Sequence, residues 1–340
     1  MSTPLLELRD VEVEFRTRDG IARVLDRVGF SLSAGSTLGI VGESGCGKSM
    51  TALTIMRLVP QPPGRIAGGT IRLDGEDLLA ATEARMREIR GNEVSMVFQE
   101  PMTSLNPVFS VGDQIAETVR LHQGLGKRES LDRAVEMLAA VGIPVPERRV
   151  REYPHQLSGG MRQRVMIAIG LACGPRVLIA DEPTTALDVT VQAQIFDLLI
   201  DLKERTGTSI ILITHDMGAI AEMADRVVVM YAGRIVEEGP VEIILEDPLH
   251  PYTRGLITCV PHLEERPSPE RQPLTEIAGM VPALTALGRG CAFAPRCDHA
   301  TDRCRQQAPA LEGEDEHRVA CWLHGDAGRA DAPEFRPGPA

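Results

Sequence analysis

A glycine-rich run near the start of the chain has the residue types and spacing of a phosphate-binding loop. Glycines let successive backbone N–H groups turn inward on a phosphate, and the helix that follows presents the positive end of its dipole. The pattern predicts that Lys48 reaches the β and γ phosphates of a nucleotide and that the Ser49 hydroxyl binds Mg²⁺. The alternative is a strand-to-helix turn that binds nothing. The loop and the start of its helix consist of Gly42, Glu43, Ser44, Gly45, Cys46, Gly47, Lys48, Ser49 and Met50.

Polar side chains follow three apolar runs farther along the chain. Continuous apolar runs are typical of parallel strands buried on both faces, and open α/β sheets bind ligands where such strands end. Taken singly, each side chain also fits a plain structural role, as a polar strand terminus or a turn cap. The residues are Gln99 after the first run, Asp181 and Glu182 after the second, and His215 after the third.

Another candidate site lies at a predicted helix start in the middle of the chain. Ser158 precedes Gly159 and Gly160, and an apolar run from Val165 to Leu171 follows. Serine is a favoured N-cap residue, and a helix start with paired glycines can bind an anion. Taken alone, the pattern is that of an ordinary helix cap.

The elements that must position these residues follow from hydrophobic periodicity. Leu6 to Phe15 and Val24 to Leu32 alternate as half-buried strands, which predicts an antiparallel β-layer. Residues Ser110 to Ala140 have the 3.6-residue period of helices. Elsewhere strands and helices alternate, which indicates an α/β core. The Phe15 ring fits core packing or stacking on an adenine, and the strand period favours the core.

Composition and charge narrow the class of protein. Of the 340 residues, 43% are hydrophobic and 3% are aromatic, so we expect a mainly aliphatic core. A formal net charge of -12 disfavours nucleic acid as the main partner. The longest apolar candidate, Val165 to Cys173, is too short to span a bilayer, and the N-terminus lacks a signal-peptide pattern. We therefore expect a cytoplasmic location.

The order of these motifs resembles that of the ATP-binding subunits of ABC transporters. The phosphate loop, the glutamine, the Leu157–Gly160 signature, the Asp-Glu pair and the histidine occur in the family's order, and the resemblance covers Leu5 to Pro240. Ordinary phosphate-loop proteins lack such a signature. More narrowly, Asn106-Pro107, the segment Asp247 to Arg254 and the C-terminal cysteines are similar to the oligopeptide and dipeptide importers and their nickel-importing relatives.

The resemblance implies catalytic and metal-binding roles for the residues at the strand ends. Ser49 and Gln99 would ligate Mg²⁺ directly, and Asp181 would hold it through water. Glu182 would polarise the attacking water, and His215 would contact the γ-phosphate. These roles suit phosphoryl transfer, which depends mainly on positioning and charge stabilisation.

The resemblance also implies a second ATP-binding chain. Ser158, Gly159 and Gly160 would complete the nucleotide site of another cassette, so that ATP lies between two chains and hydrolysis separates them. The chain has one phosphate loop and one signature, hence half of each composite site. Met161 and Met50 stand where many cassettes carry glutamine and threonine, but neither replaces a phosphate or metal ligand, so we expect activity to survive.

The function implied by the resemblance is that of an ATP-hydrolysing ABC importer subunit that energises uptake of oligopeptides or dipeptides from the cytoplasmic face of the membrane. Its expected partners are a sister ATPase, two permease subunits and an external solute-binding protein, without nucleic acid. Uptake of nickel or another small solute is the alternative. A soluble ABC ATPase acting on DNA or ribosomes is disfavoured, because the sequence has neither a long heptad insertion nor tandem cassettes. A non-hydrolytic regulatory cassette is disfavoured because Glu182 and His215 are present.

The expected architecture is an α/β phosphate-loop NTPase core with an antiparallel β subdomain and a helical signature subdomain, plus a small cysteine-rich C-terminal appendage. Residues 1–245 would form the ATPase domain, with the helical part at about 104–172. Residues 246–340 would form an extension of the peptide-importer type, and Pro261 to Pro273 has the composition of a polar linker.

Four of the seven cysteines crowd into the last fifty residues of the chain, namely Cys291, Cys297, Cys304 and Cys321. Apolar periodicity is weak there, so we expect something other than a hydrophobic core to hold the segment, and four thiolates can do so by binding a metal. The spacing matches neither short zinc pairs nor a bacterial ferredoxin run. The resemblance implies a four-iron four-sulfur cluster. The alternatives are unligated cysteines, or zinc with a thiolate replaced by His299, His317 or His324.

Two further expectations concern accessible surface. By the resemblance, Gln99 to Val108 receives a cytoplasmic helix of the permease, although a plain interdomain loop is the alternative. Cys46 lies at a helix N-terminus, which lowers a thiol pKa, so we expect it to react with alkylating reagents until ATP covers it. The alternative is that Cys46 merely fills space in the loop.

Overall fold

The computed structural model describes residues 3–99, 104–185, 187–259, 276–313 and 316–324. In this part of the chain, a four-stranded antiparallel sheet consists of β1 (Leu6–Thr17), β2 (Gly20–Leu32), β4 (Gly64–Leu73) and β5 (Glu76–Asp77). In the order β2-β1-β4-β5, the neighbours β1 and β2 have the alternation of buried and exposed residues predicted from the sequence. Phe15 is partly buried against the core, as the strand period favours.

The described residues also form a seven-stranded sheet that contains the predicted buried runs. Its strands are β3 (Thr37–Val41), β6 (Val94–Val97), β7 (Val177–Asp181), β8 (Ser209–Ile213), β9 (Arg226–Tyr231), β10 (Arg234–Pro240) and β11 (Arg318–Val319). Their order is β11-β10-β9-β3-β8-β7-β6. Pairing is parallel from β9 to β6, while β10 runs antiparallel to both of its neighbours. Since parallel strands end at one edge, the loops after β3, β6, β7 and β8 meet there.

Helices pack on the sheet and form a separate helical region. Lys48–Ile55 follows the phosphate loop, and Val189–Thr206 and Met217–Met223 follow β7 and β8. The region with helical period contains Val111–Gln123, Lys127–Ala140, Pro146–Arg149 and Gly159–Leu171. Further described helices are Glu83–Ile89, Val241–Glu246, Pro251–Thr258 and Asp302–Gln306. Within the described residues, no helix combines the length and apolar character needed to cross a membrane.

Two buried apolar clusters cover the two faces of the larger sheet. Leu178 and Ala180 belong to the cluster shared with the helical region, whereas Val177 and Ile179 belong to the cluster shared with the antiparallel sheet. This alternation follows from the two-residue period of a strand. The larger sheet is therefore held rigidly between two layers, and its carboxyl edge is a fixed platform for the loops that follow.

The described part of the C-terminal extension packs against the apolar cluster that the larger sheet shares with the helical region. This corrects the expectation of a separate appendage without apolar support. The two-residue strand β11 pairs with β10 at the edge of the larger sheet. Phe293 is buried in this cluster, and its ring centroid lies 5.3 Å from that of Tyr231 and 5.5 Å from that of Tyr252. Such short elements and single aromatic anchors leave no periodic pattern in the sequence. The predicted linker, residues 261–273, lies outside the described residues.

Candidate active site

The phosphate loop joins β3 to the helix Lys48–Ile55 in a conformation that requires glycine. Gly42 and Gly47 have φ of 150° and 108°, and a Cβ on Gly42 would lie 2.2 Å from the Met230 carbonyl oxygen. Lys48 folds back over the loop, and its Nζ donates to the carbonyl oxygens of Gly42 at 2.6 Å and Glu43 at 3.2 Å. The Lys48 ammonium is therefore buried above the loop, where a bound phosphate would compete for it.

Ser49 and Asp181 bring two hard oxygen donors together across the sheet edge. The Ser49 hydroxyl donates to Asp181 Oδ1 at 3.0 Å. Burial raises the pKa of the Asp181 carboxyl above its usual range, and the hydrogen bond from Ser49 opposes that shift. A divalent cation would favour the ionised carboxylate, and Mg²⁺ prefers such oxygen ligands. The donor set fits the predicted magnesium site.

Glu182 is the centre of a second polar cluster beside Asp181. Its Oε2 accepts hydrogen bonds from Gln99 Nε2 at 2.8 Å and from the Thr185 hydroxyl at 2.9 Å, and its Oε1 lies 3.7 Å from His215 Nδ1. The backbone of Glu182 is left-handed, with φ of 46°, an uncommon conformation for a residue with a Cβ. Its N–H donates to the carbonyl of Ile213 at 2.8 Å, which fixes the turn after β7.

The structure thus brings Gln99, Glu182 and His215 together at the edge of the sheet where β6, β7 and β8 end. Sequence reasoning missed Thr185, because a threonine four residues beyond the end of β7 has no distinctive pattern. His215 is accessible, with 71% of its side chain exposed, whereas the Glu182 side chain is 16% exposed. The imidazole can therefore meet a ligand that approaches from solvent.

The signature residues form the predicted helix cap. Ser158 Oγ accepts from the Met161 N–H at 3.4 Å, at the start of the helix Gly159–Leu171. A Cβ on Gly160 would lie 2.8 Å from Val191 Cγ1, so this glycine permits close packing of two helices. None of the hydrogen bonds found for the described residues joins the signature to the phosphate loop of the same chain. Ser158 is exposed, so it can contact a surface outside this chain.

The expectation of a reactive Cys46 is wrong. Cys46 is 0% exposed, and burial raises the pKa of its thiol, although Lys48 acts in the opposite direction. The thiol points under the loop, where a Cβ on Gly42 would come within 2.7 Å of its sulfur. Desolvation outweighs the helix N-terminus here, so the space-filling interpretation of Cys46 is correct.

The four C-terminal cysteines line one small, mainly apolar cavity together with His250, His299 and Trp322. Burial raises the pKa of the Cys291 and Cys297 thiols, and it raises the pKa of Cys321 to about 12. Among the described residues, no group of three or more His, Cys, Asp and Glu side chains has metal-binding geometry.

Of the three histidines considered as zinc ligands, His299 alone lines this cavity. The ring of His317 lies 2.8 Å from buried Glu237 instead, where it helps to attach the extension to β10. The buried Glu237 carboxylate also accepts the backbone N–H groups of Leu249 and His250 at 2.7 and 3.0 Å. This network was not predicted, because its members are far apart in sequence.

The proposed docking segment has both hidden and accessible positions. Residues 100–103 lie outside the described part of the chain. Leu105 is buried, so it is a poor attachment point for a cross-linker, whereas Val108 and Phe109 are 71% and 52% exposed. Two neighbouring exposed apolar side chains give this surface the character of a contact site.

Comparisons with known proteins agree with this geometry. The family model described as ABC transporter matches residues 25–185. A solved dimeric ATP-binding cassette, in a post-hydrolysis state bound to ADP and Pi, is 27% identical and superposes with a TM-score of 0.62 over 69% of this chain and 98% of that chain. The chain belongs to the ABC transporter ATP-binding family and has the α/β fold of its ATPases.

More specific similarity extends to the C-terminal region. The family model for the oligopeptide/dipeptide transporter C-terminal region matches residues 236–304. A probable peptide ABC transporter ATP-binding protein of Sinorhizobium fredii is 52% identical over 94% of this chain and 94% of that protein. The oligopeptide transport ATP-binding protein OppD of Bacillus subtilis is 50% identical over 98% of this chain and 92% of that protein. Within the family, the chain groups with these peptide-transport ATP-binding proteins.

Proposed function

We propose that this chain hydrolyses ATP as the motor subunit of an ABC importer. The observation that carries the proposal is the meeting of Gln99, Glu182 and His215 at the edge of the sheet where the phosphate loop begins. The Ser49–Asp181 pair adjoins this cluster through the peptide bond between Asp181 and Glu182. Phosphate binding, a metal site and a water-orienting carboxylate are then provided within one small region.

Each side chain has a distinct task in this mechanism. Lys48 and the loop N–H groups hold the ATP phosphates, and Ser49, Gln99 and Asp181 would hold Mg²⁺, which supplies charge neutralisation when bound. Glu182 accepts a hydrogen bond from the attacking water and aligns it with the γ-phosphate. His215, exposed at the edge of the cluster, donates to the γ-phosphate.

Composite sites require a second cassette. The signature residues Ser158, Gly159 and Gly160 supply the other side of a nucleotide held by a partner ATPase, and the partner's signature does the same here. The exposure of Ser158 and its position at a helix N-terminus support this assignment. We infer that this chain forms a heterodimer with a sister ATPase. The heterodimer assembles with two permease subunits and an external solute-binding protein, and this chain lies peripherally at the cytoplasmic face of the membrane.

The transported substrate is an oligopeptide or dipeptide. The match of the C-terminal region to the oligopeptide/dipeptide transporters and the names of the most similar relatives support this class. Nickel or another small solute remains the alternative.

Copurification of the tagged chain with its native partners, followed by ATPase measurement in lipid, tests the proposal. Peptide with the solute-binding protein should stimulate turnover, and nickel should not. Stimulation by nickel alone would reverse the substrate assignment, and recovery of a complex without permeases would contradict the importer assignment.

We also propose a boundary at about residue 245, with the extension from 246 holding a metal centre on Cys291, Cys297, Cys304 and Cys321. The shared cavity and the soft thiolate donors support a four-iron four-sulfur cluster, with zinc as the second candidate. The raised thiol pKa values disfavour thiolates without a cation, so metal binding would release protons.

Anaerobic purification and metal analysis test this centre. Iron–sulfur ligation predicts a coloured protein with about four irons per chain. Cys297→Ser should lose the metal while MgATP still binds, and Cys259→Ser, outside the cavity, should retain it. Recovery of one zinc per chain would assign zinc to the site instead of an iron–sulfur cluster. Metal-free protein that assembles fully would end the proposal.

A further inference from the structure

The C-terminal extension makes direct contact with the phosphate loop. The guanidinium of Arg296 forms a two-bond ion pair with the carboxylate of Glu43, with Nη1–Oε2 at 2.6 Å and Nη2–Oε1 at 3.0 Å. The Arg296 side chain is 4% exposed and that of Glu43 is 30% exposed, so the guanidinium is largely shielded from water while the carboxylate keeps some contact with it. We propose that Arg296 is a positioning residue, which sets the conformation of the phosphate loop for nucleotide binding by holding Glu43.

All five N–H donors of Arg296 are used. Besides the two bonds to Glu43, its side chain donates to the carbonyls of Ile277 at 2.9 Å and Ala278 at 2.8 Å, and to the Tyr231 hydroxyl at 3.3 Å. Only a planar guanidinium presents five donors in a fixed fork, whereas the lysine ammonium has three and no bidentate geometry. Arg296 therefore fixes Glu43 in one orientation relative to the extension.

The backbone of Glu43 is held from both sides. Its N–H donates to the hydroxyl of Tyr252 at 2.7 Å, and Tyr252 is a fully buried residue of the extension. Its carbonyl accepts from Lys48 Nζ at 3.2 Å. Movement of Glu43 would thus move an acceptor of the phosphate-binding lysine. The extension is therefore coupled to the ATP site through Glu43 of the loop.

Other contacts attach the extension without reaching the loop. Arg318 donates to Glu238 at 2.8 Å from Nε, and Arg226 pairs with Glu316 at 3.1 Å. These pairs join the extension to β9 and β10 and include no residue of the phosphate loop. Arg318→Ala is the matched control for Arg296→Ala, since each removes an arginine that links the extension to the core.

The test is the Kd for MgATP of the purified full-length chain, with its thermal midpoint measured in parallel. Arg296→Ala should raise Kd about tenfold, a loss of about 1.4 kcal/mol of binding free energy. Arg296→Lys should give an intermediate value, and Arg318→Ala should leave Kd within about twofold even if it lowers the thermal midpoint. In a Glu43→Gln background, Arg296→Ala should have little further effect, because the two residues act as one unit.

The inference rests on the nucleotide role proposed for the phosphate loop, which Lys48→Ala tests separately by its loss of MgATP binding. If Arg296→Ala and Arg318→Ala give equal Kd values, Arg296 serves attachment only and the inference is overturned. The inference would also be overturned if the effects of Arg296→Ala and Glu43→Gln on the binding free energy of MgATP were fully additive. If Arg296→Ala does not fold, the Kd for MgATP of Arg296→Lys tests the inference instead. An unchanged Kd in that variant contradicts it.

Discussion

Replacing Glu182 by glutamine should separate nucleotide binding from hydrolysis. The substitution keeps the shape of the side chain, and its amide oxygen can still accept the Thr185 hydroxyl that lies 2.9 Å from the carboxylate. It removes the negative charge that orients water. The same amide oxygen can accept from Gln99 Nε2, which donates to that oxygen of the carboxylate at 2.8 Å, so the new NH₂ group faces His215.

The size of the effect follows from the contacts that are lost and kept. A side chain that activates a reacting group contributes roughly 10²- to 10⁴-fold in rate. This factor corresponds to about 3–5 kcal/mol of transition-state stabilisation. The contacts of Lys48 and Ser49 do not include Glu182, so the Kd for MgATP should stay within about threefold, or under about 0.7 kcal/mol.

Two assays separate these effects. Steady-state ATP turnover is measured on the complex assembled with its partners, and MgATP binding is measured on the purified chain. Glu222→Gln, an exposed acid on the helix Met217–Met223, is the matched control and should change neither quantity. Turnover by Glu182→Gln at the wild-type rate would refute the role of this carboxylate. Loss of MgATP binding would show instead that Glu182 acts through the structure of the loop.

Three further predictions concern the loop and the docking surface. Lys48→Ala should abolish measurable MgATP binding, because Lys48 supplies the loop's buried ammonium, and an unchanged Kd would contradict the phosphate-binding role. Cys46 should resist alkylation near pH 7 with or without MgATP, because burial raises the pKa of its thiol and leaves less thiolate than a free cysteine has. Its labelling should accelerate only as the pH rises above the usual thiol pKa. Fast labelling at pH 7 would disprove its burial. A cysteine at exposed Val108 should cross-link to a permease in an active complex, whereas a cysteine at exposed Leu121 on the helix Val111–Gln123 should not, and equal capture at both would reject the docking surface.

Much of the core was predictable because its signals are local. The continuous apolar runs before Asp181 and His215 indicated buried parallel strands, and the parallel sheet then places their polar ends at one edge. The glycines of the phosphate loop and the capping serine at Ser158 likewise act within a few residues of the chain. Such features require no knowledge of distant contacts.

The remaining features depend on contacts between distant segments. Arg296 and Glu43 are separated by 253 positions, so neither residue identifies the other in the sequence. The burial of Cys46 depends on how the loop packs against its surroundings, including Met230 on β9, and a local rule for helix N-termini therefore gave the wrong pKa direction. The two-residue strand β11 is too short to leave a periodic pattern.

The most direct measurement is ATP-driven uptake of a labelled peptide by proteoliposomes that contain the complete complex. The solute-binding protein and the peptide are placed outside the vesicles, and ATP is enclosed inside them. In complexes whose ATPase subunits face the vesicle interior, the peptide should accumulate inside above its external concentration. Accumulation should stop when this chain carries Glu182→Gln, while the same complex still binds MgATP. Equal accumulation with the wild-type and Glu182→Gln chains, or ATP turnover that no peptide alters and that moves no peptide, would contradict the assignment of this chain as the ATP-hydrolysing motor of a peptide importer.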